Sequence, residues 1–160
     1  MYQPQPDDEG LQLLGVALRD YIASDTGPKG VVELLPGGTE SIIPEGFMTS
    51  ETATPVVLIA KLGFGQSAAG AEIRLVRYIV YVLDRGRGYY AIEKVLHRLM
   101  KLFNDTPRAL EYLTFPSTEP LKVLSVKAPG GTATASFPQW QCEGQGAYLF
   151  VEVRGLPTAD

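Results

Sequence analysis

The sequence contains one cysteine, Cys142, and one histidine, His97. A single thiol excludes an internal disulfide framework and any zinc site built from cysteine alone. A reducing compartment suits it. The lone His97 has no HExxH partner, and no nucleophile-elbow pattern places an activated Ser or Cys in reach of it. Positive charge is also scarce: 14 Lys and Arg stand against 18 Asp and Glu, a net charge of −4. Domains that bind nucleic acid by neutralising phosphates are usually basic, so direct sequence-specific nucleic-acid binding is not expected, although a local basic patch stays compatible with the total. Long hydrophobic runs are missing as well. The longest reach about eight residues, against roughly 20 for a helix that spans a bilayer. The start, Met1-Tyr-Gln-Pro-Gln-Pro-Asp-Asp-Glu, has neither the basic region nor the apolar run of a leader. No membrane association is expected.

What is present is a globular composition, 45% hydrophobic and 20% charged, in a chain of 160 residues, which predicts one domain over 1–160 with flexible ends at 1–6 and 155–160. Asp7, Asp8 and Glu9 precede an amphipathic helix that ends near Ser24, with Leu11, Leu14, Leu18, Tyr21 and Ile22 on one face. Val31 to Leu35 reads as a short strand and 36–54 as a long loop. Pro55 to Leu62 is a near-continuous apolar strand, broken by a Gly-rich loop over Gly63 to Gly70. Ile73 to Leu83 is a second long strand, apolar on both faces, with Arg74 on one and Arg77 on the other. Such a doubly apolar strand, in a sheet covered by helices on one side only, marks the other side as a partner surface.

After a turn at Asp84 to Gly88, a helix runs from Tyr89 to about Asn104 on a stripe of Ile92, Val95, Leu96, Leu99 and Phe103. Pro107 to Leu113 is a short helical or irregular connection. Strands follow at Leu121 to Lys127, Thr132 to Phe137 and Ala147 to Val153, the first two joined as a hairpin by Pro129-Gly130-Gly131. The expected fold is α+β, a mainly antiparallel mixed sheet with helices packed on one face.

The sequence offers no catalytic constellation. Gly63, Gly65 and Gly70 lie between two strands, whereas a dinucleotide cradle needs its glycines between a strand and a helix. Asp and Glu are dispersed, and Cys142 has no basic neighbour in sequence to lower its pKa. No enzyme activity, cofactor or metal is expected. The residue types that favour protein contacts are Arg85 and Arg87 with Tyr89 at the turn, Phe64 in the Gly-rich loop, Arg74 and Arg77 on the strand, and Trp140. Against these readings stand solvation of a turn by Arg85 and Arg87, and burial of Trp140 against the sheet.

Residues 55–104 combine an apolar strand, a Gly-containing loop, the strand Arg77-Tyr-Ile-Val-Tyr-Val-Leu-Asp84, a short polar turn and the helix Tyr90-Ala-Ile-Glu-Lys-Val-Leu-His-Arg-Leu-Met. This pattern resembles the tail terminator (tail completion, head-tail joining) proteins of long-tailed bacteriophages. The resemblance covers about a third of the chain and rests on element order and residue classes. It implies a small α+β subunit with a leading helix, a sheet and a flanking helix. It further implies a hexameric ring in the virion that caps the tail tube, ends its polymerisation, and joins tail to head. The implied partners are the chain itself, the tail tube protein and a head-tail connector protein, with synthesis in the host cytoplasm. A head-closure or neck component is the alternative from the same class. A small-ligand module using the loop 63–70 is the alternative from another.

Overall fold

A computed structural model describes residues 13–44, 47–70, 72–86, 90–115 and 121–154. The expected flexible ends, 1–6 and 155–160, and the position of Leu11 lie outside them. The fold is α+β. Its sheet has six strands in the order β1-β2-β3-β6-β4, with β5 also paired to β6. The strands are β1 (Ile42–Pro44), β2 (Val56–Gln66), β3 (Ile73–Asp84), β4 (Lys122–Gly131), β5 (Ala135–Phe137) and β6 (Cys142–Arg154). Among the described residues only the β1–β2 pair is parallel. The helices are α1 (Leu13–Ala23), α2 (Val31–Leu34), α3 (Tyr90–Asn104) and α4 (Thr106–Tyr112).

The four helices of the described residues all contribute to one core. Leu14, Leu18, Tyr21 and Ile22 of α1 meet Val95, Leu99 and Phe103 of α3 over Val57, Ile59, Val76, Tyr78, Val80, Leu149 and Val151 of the sheet. The stripe read from the α3 sequence is buried throughout, with Leu102 added to it. Each such Leu or Ile side chain contributes about 2 kcal/mol by leaving water. Tyr21, fully buried, satisfies its hydroxyl by donating to the Leu102 carbonyl at 2.7 Å. Burial pushes its pKa up to about 12.

Four expectations are corrected. The segment from Val31 is a helical turn, α2, and not a strand. The Asp25 carboxylate accepts the Val31 N–H at 2.9 Å, and the Asp25 carbonyl accepts the Val32 N–H at 3.2 Å. This local capping outweighs the strand preference of two adjacent valines. Gly30 is required there, since a Cβ would run into the Asp25 carbonyl and come within 2.9 Å of the Gly27 carbonyl.

Second, the span 36–54 is not all loop. It contains a 3-10 turn at Gly38–Ser41 and then β1, whose Ile42 is fully buried and whose carbonyl accepts Arg19 Nε at 2.8 Å. Third, β2 does not stop at Leu62. It runs through Gly63 and Gly65 to Gln66, paired with β3 across a bulge between Lys61 and Gly63. Gly63 takes a positive φ of 148° at that bulge, a value that favours glycine. The Gly-rich stretch is thus mostly ladder, closed by a tight turn in which Ser67 N–H donates to the Ile73 carbonyl at 2.9 Å.

Fourth, Pro129-Gly130-Gly131 does not turn a hairpin. It is the end of β4, which pairs with β6 through two irregularities, and β5 then continues along the same side of β6. An edge strand tolerates proline because no further strand completes its ladder.

One ionic cluster ties the helical layer together. Asp25 is 2% exposed and accepts Arg98 Nε and Nη2, both at 2.7 Å, with Arg108 Nη2 at 3.4 Å. Burial pushes the Asp25 carboxyl up, but the Arg98 and Val31 hydrogen bonds and the two guanidinium charges outweigh it and hold the group below its usual range. An open cavity of about 350 Å³ beside this cluster is lined by Arg98, Lys101, Asn104 and Arg108, among others. Arg98 and Arg108 neutralise Asp25, and Lys101 suits the C-terminal end of α3.

Candidate protein interface

Cross-strand neighbours share a sheet face, so the register assigns the side that carries no helix. On β3 it holds Leu75, Arg77, Ile79, Tyr81 and Leu83, opposite Glu152, Phe150, Tyr148, Gly146 and Gly144 of β6. On β4 it holds Lys122, Ser125 and Lys127, opposite Arg154, Glu152 and Phe150. The two ends of this face differ.

One end is covered by the chain itself. Met48, Val56, Leu58, Leu83 and Cys142 form a small second core, packed by Ile43, Tyr81, Phe137 and Trp140. Trp140 stacks on Phe137 with ring centroids 5.7 Å apart, and Phe137 meets Tyr81 edge to face at 5.2 Å. Gly146 and Gly144 make room: a Cβ at Gly146 would come within 2.7 Å of Ile79, and one at Gly144 would collide with Leu83. Arg85 fastens the cover. Its Nε donates to the Trp140 carbonyl at 3.1 Å, its Nη2 to the Thr49 carbonyl at 3.1 Å, and its Nη1 to the Thr52 carbonyl.

The other end is open. Tyr148 is 39% exposed, Arg77, Lys122, Lys127 and Arg154 are exposed, and Leu75 and Phe150 are half-buried. Leu62, at the β2 bulge, is 54% exposed. Glu152 is the single acid in this register. Its carboxylate accepts the Ser125 hydroxyl at 2.8 Å and the Ser67 hydroxyl, and these two hydrogen bonds lower its pKa, with Lys127 adding in the same direction. An apolar and aromatic centre ringed by cations suits contact with another macromolecule better than it suits solvent.

The residues read from the sequence as interface candidates divide. Arg77 stands at the centre of the open face. Arg74 is exposed but pairs opposite Val153, on the side that carries the helices. Arg85 is committed within the chain, bonding three carbonyls. Trp140 is half-buried in the covering cluster. Arg87, Tyr89 and the side chain of Phe64 lie outside the described residues.

Sequence reading missed Tyr148, Phe150, Lys122, Lys127, Glu152 and Arg154. Part of this was available in the alternation over 147–154: Ala147, Leu149, Val151 and Val153 point to the core, leaving Tyr148, Phe150, Glu152 and Arg154 on the other face. Lys122 and Lys127 were not available. They are five apart in sequence and share a face only because β4 shifts register between Val123 and Ser125.

Among the described residues no group of three or more His, Cys, Asp or Glu is arranged to hold a metal ion, and no helix is long and apolar enough to cross a membrane. His97 is exposed on α3. Neither a protein-family model nor a curated protein matches the chain.

Proposed function

We propose that the chain is a structural subunit that assembles into a ring, in the manner of a tail terminator of long-tailed bacteriophages. On this reading it caps the tail tube, stops its growth and presents a surface to the head-tail connector. The observation that carries the proposal is the helix-free end of the sheet, where Tyr148, Leu62, Leu75 and Phe150 remain open to solvent to differing degrees. The order of a leading helix, a sheet and a flanking helix agrees with what the resemblance implies.

The edges of the sheet are poor alternatives for association. β4 carries Pro129, Lys122, Lys127 and two irregularities, and β1 is three residues long and ends at Pro44. These are the devices by which edge strands avoid pairing with other chains. A face, by contrast, joins copies in a closed ring when it meets a different surface of the next copy.

The solution mass tests this reading. Six copies of a 17.4 kDa chain come to about 104 kDa. Size-exclusion light scattering over a concentration series is expected to show that species growing as the protein is concentrated. A monomer at every concentration would leave spontaneous ring formation without support.

A further inference from the structure

At the end of α3 the ionic cluster holds more positive charge than its carboxylate needs. Asp25 is served without Arg108: Arg98 donates to both of its oxygens at 2.7 Å, and the Val31 N–H adds a bond at 2.9 Å. Arg108 reaches the same carboxylate only at 3.4 Å, and its side chain is 41% exposed. Lys101 is exposed and has no ion-pair partner among the described residues. Both line the open cavity of about 350 Å³, with Arg98, Leu102, Asn104 and Asp105. The Asn104 amide is already used, donating to the Ala128 carbonyl at 3.1 Å and accepting the Ala128 N–H at 3.0 Å. Asp105, the one acid in the lining, is exposed and pairs with none of these cations. Two cations therefore face the cavity with little to hold.

We propose that this cavity binds a phosphate group, held by Arg108 and Lys101. A phosphate monoester carries about −1.5 to −2 charges at neutral pH and three strong acceptor oxygens. That charge matches the two uncommitted cations. The planar guanidinium offers two parallel N–H groups to two phosphate oxygens, and the ammonium adds a point charge. Asp105 and the negative end of the α3 dipole oppose an anion and keep the affinity modest. The dipole end is partly quenched, because the Lys101 carbonyl accepts the Asp105 N–H at 3.1 Å and the Leu102 carbonyl accepts the Tyr21 hydroxyl at 2.7 Å. Small-molecule pockets begin at about 300 Å³, so the cavity has room for more than a bare phosphate ion. The site lies in the helical layer and does not depend on the ring reading or on the open sheet face.

The test titrates the full chain with inorganic phosphate at constant ionic strength and follows its backbone amides by nuclear magnetic resonance. Saturable shifts are expected over residues 98–108. In R108Q the dissociation constant is expected to rise at least about tenfold, the scale for losing a bidentate charge-assisted contact. K101Q, at an exposed position, is expected to weaken binding in the same direction and covers the case in which R108Q unfolds. The control R77Q/K127Q removes two exposed cations from the sheet face and is expected to bind as the parent does. Adenosine monophosphate, with adenosine as its blank, separates the two sources of the group. Tighter binding than inorganic phosphate assigns the site to a monoester, and equal binding assigns it to the free ion. Shifts that never saturate, binding that R77Q/K127Q abolishes, or a folded R108Q that binds as tightly as the parent would each overturn the proposal.

Discussion

Replacing Arg98 with Met is expected to lower the free energy of unfolding at neutral pH by about 3 kcal/mol, the scale for stranding a buried carboxylate. Asp25 has almost no contact with solvent, and Arg98 supplies two of its hydrogen bonds and most of its charge balance. Arg108 at 3.4 Å is too distant and too exposed to replace it. The effect carries a pH signature. The folded-state pKa of Asp25 is depressed, so its contribution is fully present above the ordinary carboxyl value of about 4 and is lost as pH falls through the lower folded value. Arg98→Met removes the largest of the influences that lower the carboxyl pKa, and the pKa rises. The stability difference between the two proteins should then be largest near neutrality and close below about pH 4. Urea unfolding across pH checks this. A small difference, or one that does not change with pH, would mean that Arg98 does not stabilise the ionised carboxylate.

Arg85→Ala is expected to loosen the cover over the end of the open sheet face. The side chain joins the carbonyls of Thr49, Thr52 and Trp140, and charged donors of this kind are worth about 2 kcal/mol together when partly exposed. Cys142 reports the result. It is 3% exposed, lies in the cluster beneath this cover, and is the only thiol in the chain. Burial raises its pKa, and the Arg85 charge acts in the lowering direction. Removing that charge alone would make the thiol less reactive. A faster reaction with a disulfide reagent under native conditions therefore signals opening of the segment. A loss of about 2 kcal/mol in opening free energy corresponds to roughly a thirtyfold increase in rate. An unchanged or slower reaction would show that the covering segment does not depend on Arg85.

These two positions show what the sequence revealed and what it left hidden. Elements defined by their own periodicity were readable. The α3 stripe from Ile92 to Phe103 and the strand from Ile73 are set by local alternation of apolar and polar residues, and both stand where the pattern put them. Elements decided by partners far along the chain were not. Asp25 and Arg98 are 73 residues apart, and nothing near Asp25 announces that it caps α2. Val31 and Val32 alone favour a strand, while the capping carboxylate and the close approach at Gly30 impose a helical turn. Pro129-Gly130-Gly131 carries an ordinary turn signal, but a long β6 offers an edge that β4 and β5 occupy in succession.

The candidate site was legible in the same partial way. Arg77 was found because it interrupts an apolar strand. Arg85 reads from the sequence as a protein-contact residue, with solvation of the turn as the alternative, whereas three backbone carbonyls of the same chain converge on it. The positive character of the open face was masked by the acidic total. It emerges only when the register places cations from three strands on one side.

The central claim is that the helix-free end of the sheet is where copies meet. Hydroxyl-radical footprinting of dilute and concentrated protein tests it most directly, because Tyr148 and Leu62 are open at that end while His97 is exposed on α3. Concentration is expected to protect Tyr148 and Leu62 and to leave His97 unchanged. Protection of His97 and the rest of the outer side of α3, with Tyr148 and Leu62 as reactive as in the dilute protein, would contradict the account.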